Sequence, residues 1–195
     1  MARKLEFDRD QAIDQALKLF WQRGYAATSL PDLLATMGIA RSSFYSSFGD
    51  KRSLFLECLE RFGDRTRAIL TDAADVQPPL AAIQHFFQST TAATSAQRLA
   101  HGCLMVNSVL ELAEVDPDLK AAAQGQLDRI QDTFELLLAE AMERGDLETP
   151  HTPGELAEVL MTLNLGIRVQ SRKMENPAMV ARNINTSLAL LGIAA

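Results

Sequence analysis

The segment from Thr28 to Lys51 constrains the fold most, because it combines two short helices with a glycine turn. Ser29 is a favourable N-cap residue, and Asp32 three positions later completes a capping-box pattern. Gly38 follows the first short helix, where a residue that tolerates positive φ can end the helix and turn the chain. The second short helix carries hydrogen-bonding side chains on about two turns: Arg41, Ser42, Ser43, Tyr45 and Ser46. This order is typical of a helix-turn-helix DNA reader.

Charge is divided unevenly along the chain. The 195 residues carry a net charge of −6, which by itself argues weakly against nucleic acid as a partner. Residues 1–55, however, hold eight Lys and Arg against six Asp and Glu, whereas the remainder holds 11 against 19. A mildly cationic head on an acidic body is expected if only the head meets DNA phosphates. The head is weakly basic, so its charge supports DNA binding without establishing it.

Composition places the chain among globular proteins. Hydrophobic residues make up 47% of the sequence and charged residues 23%. No apolar run approaches the ~18 residues that span a bilayer, and the first ten residues lack the apolar core of a signal peptide. Cys58 and Cys103 have no short spacing that would indicate a disulfide framework or a zinc site. We therefore expect a cytoplasmic protein with no membrane association, no cofactor and no metal.

Apolar residues recur at helical spacing along the whole chain. Near the N-terminus, Ile13, Leu17 and Phe20 fall on one face of an amphipathic helix. The same pattern, interrupted at Gly and Pro residues, predicts helices over about 8–24, 29–36, 40–47, 51–73, 80–95, 101–115, 117–144, 154–173 and 177–192. No segment alternates with period two. The sequence therefore predicts an all-α fold.

Residues 13–59 resemble the N-terminal domain of the TetR/AcrR family of bacterial transcriptional regulators. The matching residues are Ile13, Ala16, Leu17, Phe20, Gly24, Tyr25, Thr28, Ser29, Leu30, Gly38, Ile39, Phe44, Tyr45, Phe48, Lys51 and Leu54. The resemblance implies an N-terminal three-helix helix-turn-helix domain over residues 1–55 and a C-terminal helical ligand-binding and dimerisation domain over residues 56–195. It also implies a homodimeric repressor on a palindromic double-stranded DNA operator, released by a small-molecule ligand or an electrophile.

The resemblance also implies roles for single residues in DNA binding. In the family, the residues that match Thr28, Tyr45 and Lys51 touch the DNA backbone, and those that match Arg41, Ser42 and Ser43 approach bases. The expected DNA-binding set is Thr28, Ser29, Arg41, Ser42, Ser43, Tyr45, Ser46 and Lys51. The sequence departs from the family at Ala40, where a Ser or Thr cap is common, and at Ser46 and Ser47, where aromatic or His side chains are common. These departures remove phosphate contacts that such heads often make.

Two other classes of function compete with a DNA reader. The apolar residues of the head, such as Leu33, Phe44 and Phe48, would equally form the core of a helical scaffold or partner-binding bundle. Such a bundle gives no reason to gather Arg41, Tyr45 and Lys51 after a glycine turn. An enzyme needs a catalytic motif, and neither a His-Glu-x-x-His, a Gly-x-Ser-x-Gly nor a phosphate loop occurs. We therefore expect no catalytic activity.

The last two predicted helices, over about 154–192, are the candidates for a homodimer interface. Two turns of recognition helix make few contacts, so such heads generally bind paired half-sites as dimers. The apolar and small residues considered for this interface are Leu156, Val159, Leu160, Leu163, Gly166, Ile167, Val180, Ala181, Ile184, Ser187, Leu188 and Leu191. Packing within one chain would explain some of them equally well.

The middle helices resemble the ligand-binding part of the family. The candidate ligand-binding residues are Phe86, Phe87, Cys103, Met105, Phe134, Met161, Asn164 and Arg168. Asn164 or Arg168 on an otherwise apolar helix could orient a polar group of a ligand. Ordinary core packing and surface ion pairing explain the same residues.

Cys103 raises the separate question of electrophile sensing. It opens a predicted helix whose dipole favours a thiolate, and His101 lies two residues before it. The run from Gly102 to Asn107 also resembles one in an electrophile-sensing member of the same family. Buried free cysteines are nevertheless common and inert, so a core role remains the alternative. Cys58 lies on an apolar stripe and is expected in the core.

Overall fold

The computed structural model describes residues 7–92, 101–171 and 177–193. Within those ranges the chain forms the α-helices α1 Arg9–Arg23, α2 Leu30–Met37, α3 Arg41–Phe48, α4 Lys51–Ala74, α5 Pro79–Phe87, α6 Leu104–Glu111, α7 Pro117–Glu143, α8 Pro153–Ser171 and α9 Pro177–Leu190. A π-helical segment, Gln88–Ala92, continues from α5. No strand occurs among the described residues, and the all-α prediction is confirmed.

Capping residues set the bounds of the first helices, and Ser29, Asp32 and Gly38 do so as predicted. Asp8 caps α1 by accepting a backbone N–H at 3.0 Å, and α1 ends at Gly24. Ser29 and Asp32 form both halves of the capping box at the start of α2. Gly38 ends α2 in the left-handed region, with φ of 66°. The helix-turn-helix geometry therefore follows from local chemistry.

The predicted helix over 80–95 is wrong as a single α-helix. α5 ends at Phe87, and the hydroxyls of Thr90 and Thr91 donate to the carbonyl oxygens of Phe86 and Phe87. Hydroxyl groups that bond to these carbonyls compete with the regular backbone ladder, and the chain continues as a π-helical turn. The predicted ends near residues 95 and 173 lie outside the described residues.

α6 is shorter than the helix predicted over 101–115. Cys103 has an extended backbone, with φ of −110° and ψ of 127°, so α6 begins only at Leu104. It ends at Glu111, because Leu112 departs from helical geometry. The apolar periodicity could not show either boundary, since neither has a strong cap in the sequence.

The chain separates into two compact units. The first comprises residues up to Gly63 together with Cys103–Gln126, and the second comprises Asp64–Gly102 together with the chain from Leu127 onward. In the first unit, α1 to α4 share one core with Leu104, Leu112 and Leu119. The boundary expected after residue 55 thus differs from the limits of these units, and as a domain boundary it stays a prediction.

The second unit contains a buried aromatic cluster. The Phe134 ring lies 5.2 Å from the Phe86 ring, edge to face, and 5.8 Å from the Phe87 ring, stacked. In the part of the chain that the structure describes, no helix combines the length and the apolar character needed to cross a membrane.

Candidate nucleic-acid interface

α3 presents one polar face and one apolar face. Phe44 and Phe48 are buried and fix the helix to the core of the first unit. Between and beside them, the side chains of the polar face are exposed, or half-buried in the case of Ser43: Arg41, Ser42, Ser43, Tyr45 and Ser46. The structure therefore places together the five residues of α3 that the sequence assigned to DNA.

Two contacts organise the polar face of α3. The guanidinium carbon of Arg41 lies 5.9 Å from the centre of the Tyr45 ring, within the range of a cation–π interaction. The hydroxyl of Ser46 donates to the carbonyl oxygen of Ser43 at 3.0 Å. Tyr45 is 48% exposed, so its hydroxyl end can reach a partner outside the chain. These side chains match the donors and acceptors that read base edges and phosphates.

The start of α2 carries Ser29, which also belongs to the expected DNA-binding set. Ser29 is exposed, and its hydroxyl donates to Asp32 at 2.6 Å while its backbone N–H donates to the same carboxylate at 3.1 Å. The Ser29 hydroxyl and backbone N–H that bind this carboxylate hold the pKa of Asp32 below its usual value. An intact capping box fixes the start of α2.

Thr28 takes a different position from the one expected of a DNA contact. Its side chain is fully buried, and its hydroxyl donates to the carbonyl oxygen of Gly24 at 2.6 Å. The hydroxyl thereby closes the loop between α1 and α2. A contact between Thr28 and DNA stays a prediction, and in this structure its side chain has no exposed surface to offer.

Lys51 opens α4, three residues after the end of α3. Its ammonium lies 4.3 Å from the centre of the Tyr25 ring, and Asp50 before it accepts the backbone N–H of Ser53 at 2.7 Å. Partial burial lowers the pKa of Lys51, and the negative charge of Glu111 opposes that shift. The ammonium is thus oriented by an aromatic ring at a helix N-terminus, where phosphate binds readily.

Ala40 precedes α3 without a capping side chain. It occupies the N-cap position with φ of −70° and ψ of 151°, and it makes no side-chain cap hydrogen bond. The first amides of α3 are therefore available to an external acceptor such as a phosphate oxygen.

Several arginines of the first unit are engaged in ion pairs. Arg9 binds Glu57 at 2.7 Å, and Arg23 lies 3.4 Å from Asp32. Arg52 binds Asp116 at 3.1 Å and Asp118 at 3.0 Å. The sequence could not reveal the pairs of Arg9 and Arg52, because 48 and 64 residues separate Arg9 and Arg52 from their first partners.

The candidate ligand-binding residues divide between the two units. Cys103 and Met105 lie in the first unit and are buried. The remainder lie in the second unit: Phe86, Phe87, Phe134, Met161, Asn164 and Arg168. Among the described residues, no group of three His, Cys, Asp or Glu side chains is placed to hold a metal ion.

Arg168 connects α8 to the π-helical segment within the second unit. Its Nη1 donates to the carbonyl oxygen of Thr90 at 2.6 Å, and its Nε donates to Asn164 Oδ1 at 3.3 Å. Asn164 is buried, and its amide nitrogen lies 3.7 Å from the sulfur of Met161. The structure therefore joins three of the candidate ligand-binding residues in one hydrogen-bonded row, which a role in packing explains as well as a role in binding.

Comparison with known proteins gives matches along most of the chain. A family model described as "Bacterial regulatory proteins, tetR family" matches residues 12–58. A second, described as "Tetracyclin repressor-like, C-terminal domain", matches residues 79–187. The chain is similar to the HTH-type transcriptional regulator YezE of Bacillus subtilis, with 29% identity over 193 residues, which cover 98% of this chain and 100% of that protein.

Two further relatives have functions in their names. The HTH-type transcriptional repressor ComR of Escherichia coli is 29% identical over 189 residues, which cover 94% of this chain and 89% of that protein. A solved structure shows a cysteine mutant of the TetR family transcriptional regulator CifR complexed with 26-base-pair double-strand operator DNA. It has a TM-score of 0.76 and 26% identity, and the match covers 97% of this chain and 100% of that one.

Proposed function

Since the chain belongs to the TetR family of bacterial regulatory proteins, we propose that it represses transcription as a homodimer bound to a palindromic double-stranded DNA operator. The observation that carries this proposal is the exposed polar face of α3, with Lys51 beside it. The similar regulator CifR has been solved on operator DNA, and ComR is a repressor. Both support the assignment of the same activity to this chain.

The contacts of the interface suggest a division of labour. Following the family resemblance, Tyr45 and Lys51 bind the DNA backbone, and Arg41, Ser42 and Ser43 read base edges in the major groove. Ser29 lies at the start of α2 with its hydroxyl and backbone N–H bound to Asp32. An arginine can bind guanine through two hydrogen bonds, whereas a lone ammonium recognises phosphate charge without reading sequence. Arg41 is therefore the residue on which operator discrimination depends most, and Lys51 contributes affinity for any duplex.

The variant Arg41→Ala should bind the operator more weakly and discriminate less against a scrambled duplex. The expected loss is about 1–3 kcal/mol for each half-site, because a bidentate base contact disappears. Fluorescence anisotropy with DNA from upstream of the gene, at several salt concentrations, measures both affinity and its salt dependence. Arg129→Ala removes an equal charge from an exposed position on α7 and should change neither quantity.

Two outcomes of this experiment would contradict the proposal, one in full and one in part. If binding to its own upstream DNA is no tighter than to the scrambled duplex at any salt concentration, the repressor proposal is wrong. If Arg41→Ala binds the operator as tightly as the unmodified chain, DNA binding survives but the assignment of Arg41 to base contacts does not.

The exposed sides of α8 and α9 support the proposed homodimer. Six residues first considered for the interface are instead buried within the chain: Leu156, Leu160, Ile167, Val180, Ile184 and Leu188. The exposed sides keep other apolar residues, with Val159 and Val169 on α8 and Met179 and Leu190 on α9. Gly166 is exposed between Val159 and Val169, and a Cβ there would meet nothing within 4 Å. A helix from a second copy can approach closely at such a position.

A small-molecule effector is proposed to release the repressor from DNA. The second unit contains the aromatic cluster of Phe86, Phe87 and Phe134. The Thr90 carbonyl that Arg168 binds lies three residues after Phe87 in the chain. Apolar walls with a few polar groups are the usual composition of a ligand site. Whether the effector is a reversible ligand or an electrophile depends on Cys103.

Alkylation should release the operator if Cys103 is the sensing residue. Cys103 is 4% exposed, so a small reagent such as iodoacetamide is the appropriate probe. We expect it to lower operator affinity in the unmodified chain and in Cys58→Ser, but not in Cys103→Ser. Cys58 is the matched control, because burial raises the pKa of its thiol and keeps it protonated. An equal response in Cys103→Ser would remove Cys103 from the mechanism.

A further inference from the structure

The loop between α1 and α2 is held by a carboxylate from outside the three-helix head. Glu111, the last residue of α6, accepts the backbone N–H of Tyr25 through Oε2 at 3.1 Å and that of Ala26 through Oε1 at 2.7 Å. Each carboxylate oxygen therefore binds one of two successive amides. Hydrogen bonds to an ionised acceptor are stronger than those between neutral groups. The loop is thus fixed by a residue 85 positions further along the chain.

The carboxylate of Glu111 fits here because residue 24 has no side chain. A Cβ on Gly24 would lie 2.7 Å from Glu111 Oε2, which is closer than real Cβ contacts allow. The φ of 85° at Gly24 also suits glycine and strains other residues. The absence of a side chain at Gly24 therefore serves two purposes: it lets the residue end α1, and it leaves room for the Glu111 carboxylate.

The loop that Glu111 holds supports two parts of the nucleic-acid interface. The ammonium of Lys51 lies 4.3 Å from the centre of the Tyr25 ring. A few residues on, Thr28 closes the loop and Ser29 starts α2. A displacement of the Tyr25 and Ala26 backbone would consequently move both the Tyr25 ring, which contacts the Lys51 ammonium, and the start of α2.

The segment that follows α6 holds the head at a second point. Arg52, next to Lys51 at the start of α4, binds Asp116 at 3.1 Å and Asp118 at 3.0 Å. Asp116 also caps α7 by accepting the backbone N–H of Leu119 at 3.0 Å. Carboxylates between residues 111 and 118 thus fix both the α1–α2 loop and the N-terminus of α4.

We propose that Glu111 is a positioning residue for operator binding, which fixes the α1–α2 loop and, through it, the start of α2 and the Tyr25–Lys51 pair. The proposal rests on the proposed function, because it requires an operator. It makes affinity for DNA depend on a residue of α6, which is not one of the three helices of the head.

The sign of the effect separates positioning from charge. Glu111 is negative, so on electrostatic grounds alone its removal should strengthen binding to the DNA polyanion. If the carboxylate acts by fixing the loop, its removal should weaken binding instead. The two explanations predict opposite changes in operator affinity.

The experiment compares Glu111→Ala and Glu111→Gln with the control Glu114→Ala. Glu114 is exposed and lies three residues beyond Glu111, so it matches the charge but not the contact. We expect Glu111→Ala to lose about tenfold in operator affinity, because two charge-assisted hydrogen bonds disappear. Glu111→Gln should lose less, since its amide keeps one acceptor oxygen. Glu114→Ala should bind the operator as tightly as the unmodified chain or slightly tighter. Because Lys51 contributes affinity for any duplex, binding to a scrambled duplex should also weaken in Glu111→Ala, but not in Glu114→Ala.

Hydrogen exchange at the Ala26 amide reports the contact without DNA. We expect slow exchange in the unmodified chain and fast exchange in Glu111→Ala. If exchange accelerates while operator affinity stays the same or rises, Glu111 holds the loop without affecting DNA binding, and the proposal is overturned. It is also overturned if Glu111→Ala and Glu111→Gln both unfold, since the role would then be structural. If the unmodified chain does not prefer its operator over the scrambled duplex, the proposed function fails and this proposal with it, whatever the Ala26 amide shows.

Discussion

The variant Val169→Glu should behave as a monomer, and it should bind the complete operator about a hundredfold more weakly than the unmodified chain. Val169 is 48% exposed on α8, on the side proposed to meet a second copy. In a symmetric dimer the same surface is used twice, so a glutamate there is placed in the interface twice. A carboxylate that loses water without gaining a partner destabilises the complex strongly. Loss of the dimer then separates the two recognition helices.

Light scattering during gel filtration gives the oligomeric state, and anisotropy gives the affinity for whole and half operators. The monomer should bind a half operator as tightly as the unmodified chain does, because each head is intact. Val76→Glu is the control, since Val76 is 79% exposed but lies after α4. A Val169→Glu protein that remains dimeric and retains its operator affinity would refute the proposed dimer surface.

The variant Phe55→Ala should lower the free energy of unfolding of the first unit by about 3–5 kcal/mol. Phe55 is fully buried on α4. Its ring lies 4.9 Å from the Phe20 ring, edge to face, and 4.8 Å from the Tyr25 ring. Truncation leaves a cavity between these rings and loosens Tyr25, which supports Lys51. Operator binding should therefore fall together with stability.

Two compact units can unfold separately, so a single denaturation curve is not sufficient for this variant. Native-state hydrogen exchange in α1 to α3, and in α4 up to Gly63, measures the first unit by itself. Leu136→Ala, at a position 71% exposed on α7, should change stability by no more than about 0.5 kcal/mol. A loss below about 1 kcal/mol for Phe55→Ala would mean that the ring contacts do not hold the head together.

The helices of the head could be predicted closely from the sequence because their limits are local. These limits are set by the caps Asp8, Ser29 and Asp50 and by the turn residues Gly24 and Gly38. Each acts on backbone groups within four residues of itself. The residues that decide each helix boundary therefore lie next to that boundary in the sequence. The alternation of polar and buried residues along α3 follows equally from helical periodicity.

Features that depend on distant residues could not be read in the same way. The end of α5 at Phe87 coincides with a Thr90 carbonyl that binds Arg168, 78 residues away. The role of Glu111 also depends on distant residues, because its two partners lie 85 and 86 positions before it. Its partners, backbone amides in the head, leave no trace in side-chain pattern.

Periodicity also left open which apolar residues of α8 and α9 are covered by the chain itself. Leu160 and Val159 are neighbours of equal apolar character in sequence, but Leu160 is buried and Val159 is 45% exposed. Only the direction of each side chain in the folded chain distinguishes core from proposed interface. The pattern predicted these two amphipathic helices correctly, but only the structure shows which of their apolar residues are exposed and available to a partner.

The ion pairs of Arg9, Arg23 and Arg52 bear on how fast DNA is found. Each of these cations already lies beside a carboxylate of its own unit, at 2.7, 3.4 and 3.1 Å respectively. Opposite charges at such distances largely cancel one another's field beyond a Debye length. We therefore expect Arg9, Arg23 and Arg52 to add little to the long-range attraction of DNA, and the exposed Arg41 of α3 to contribute more to the association rate.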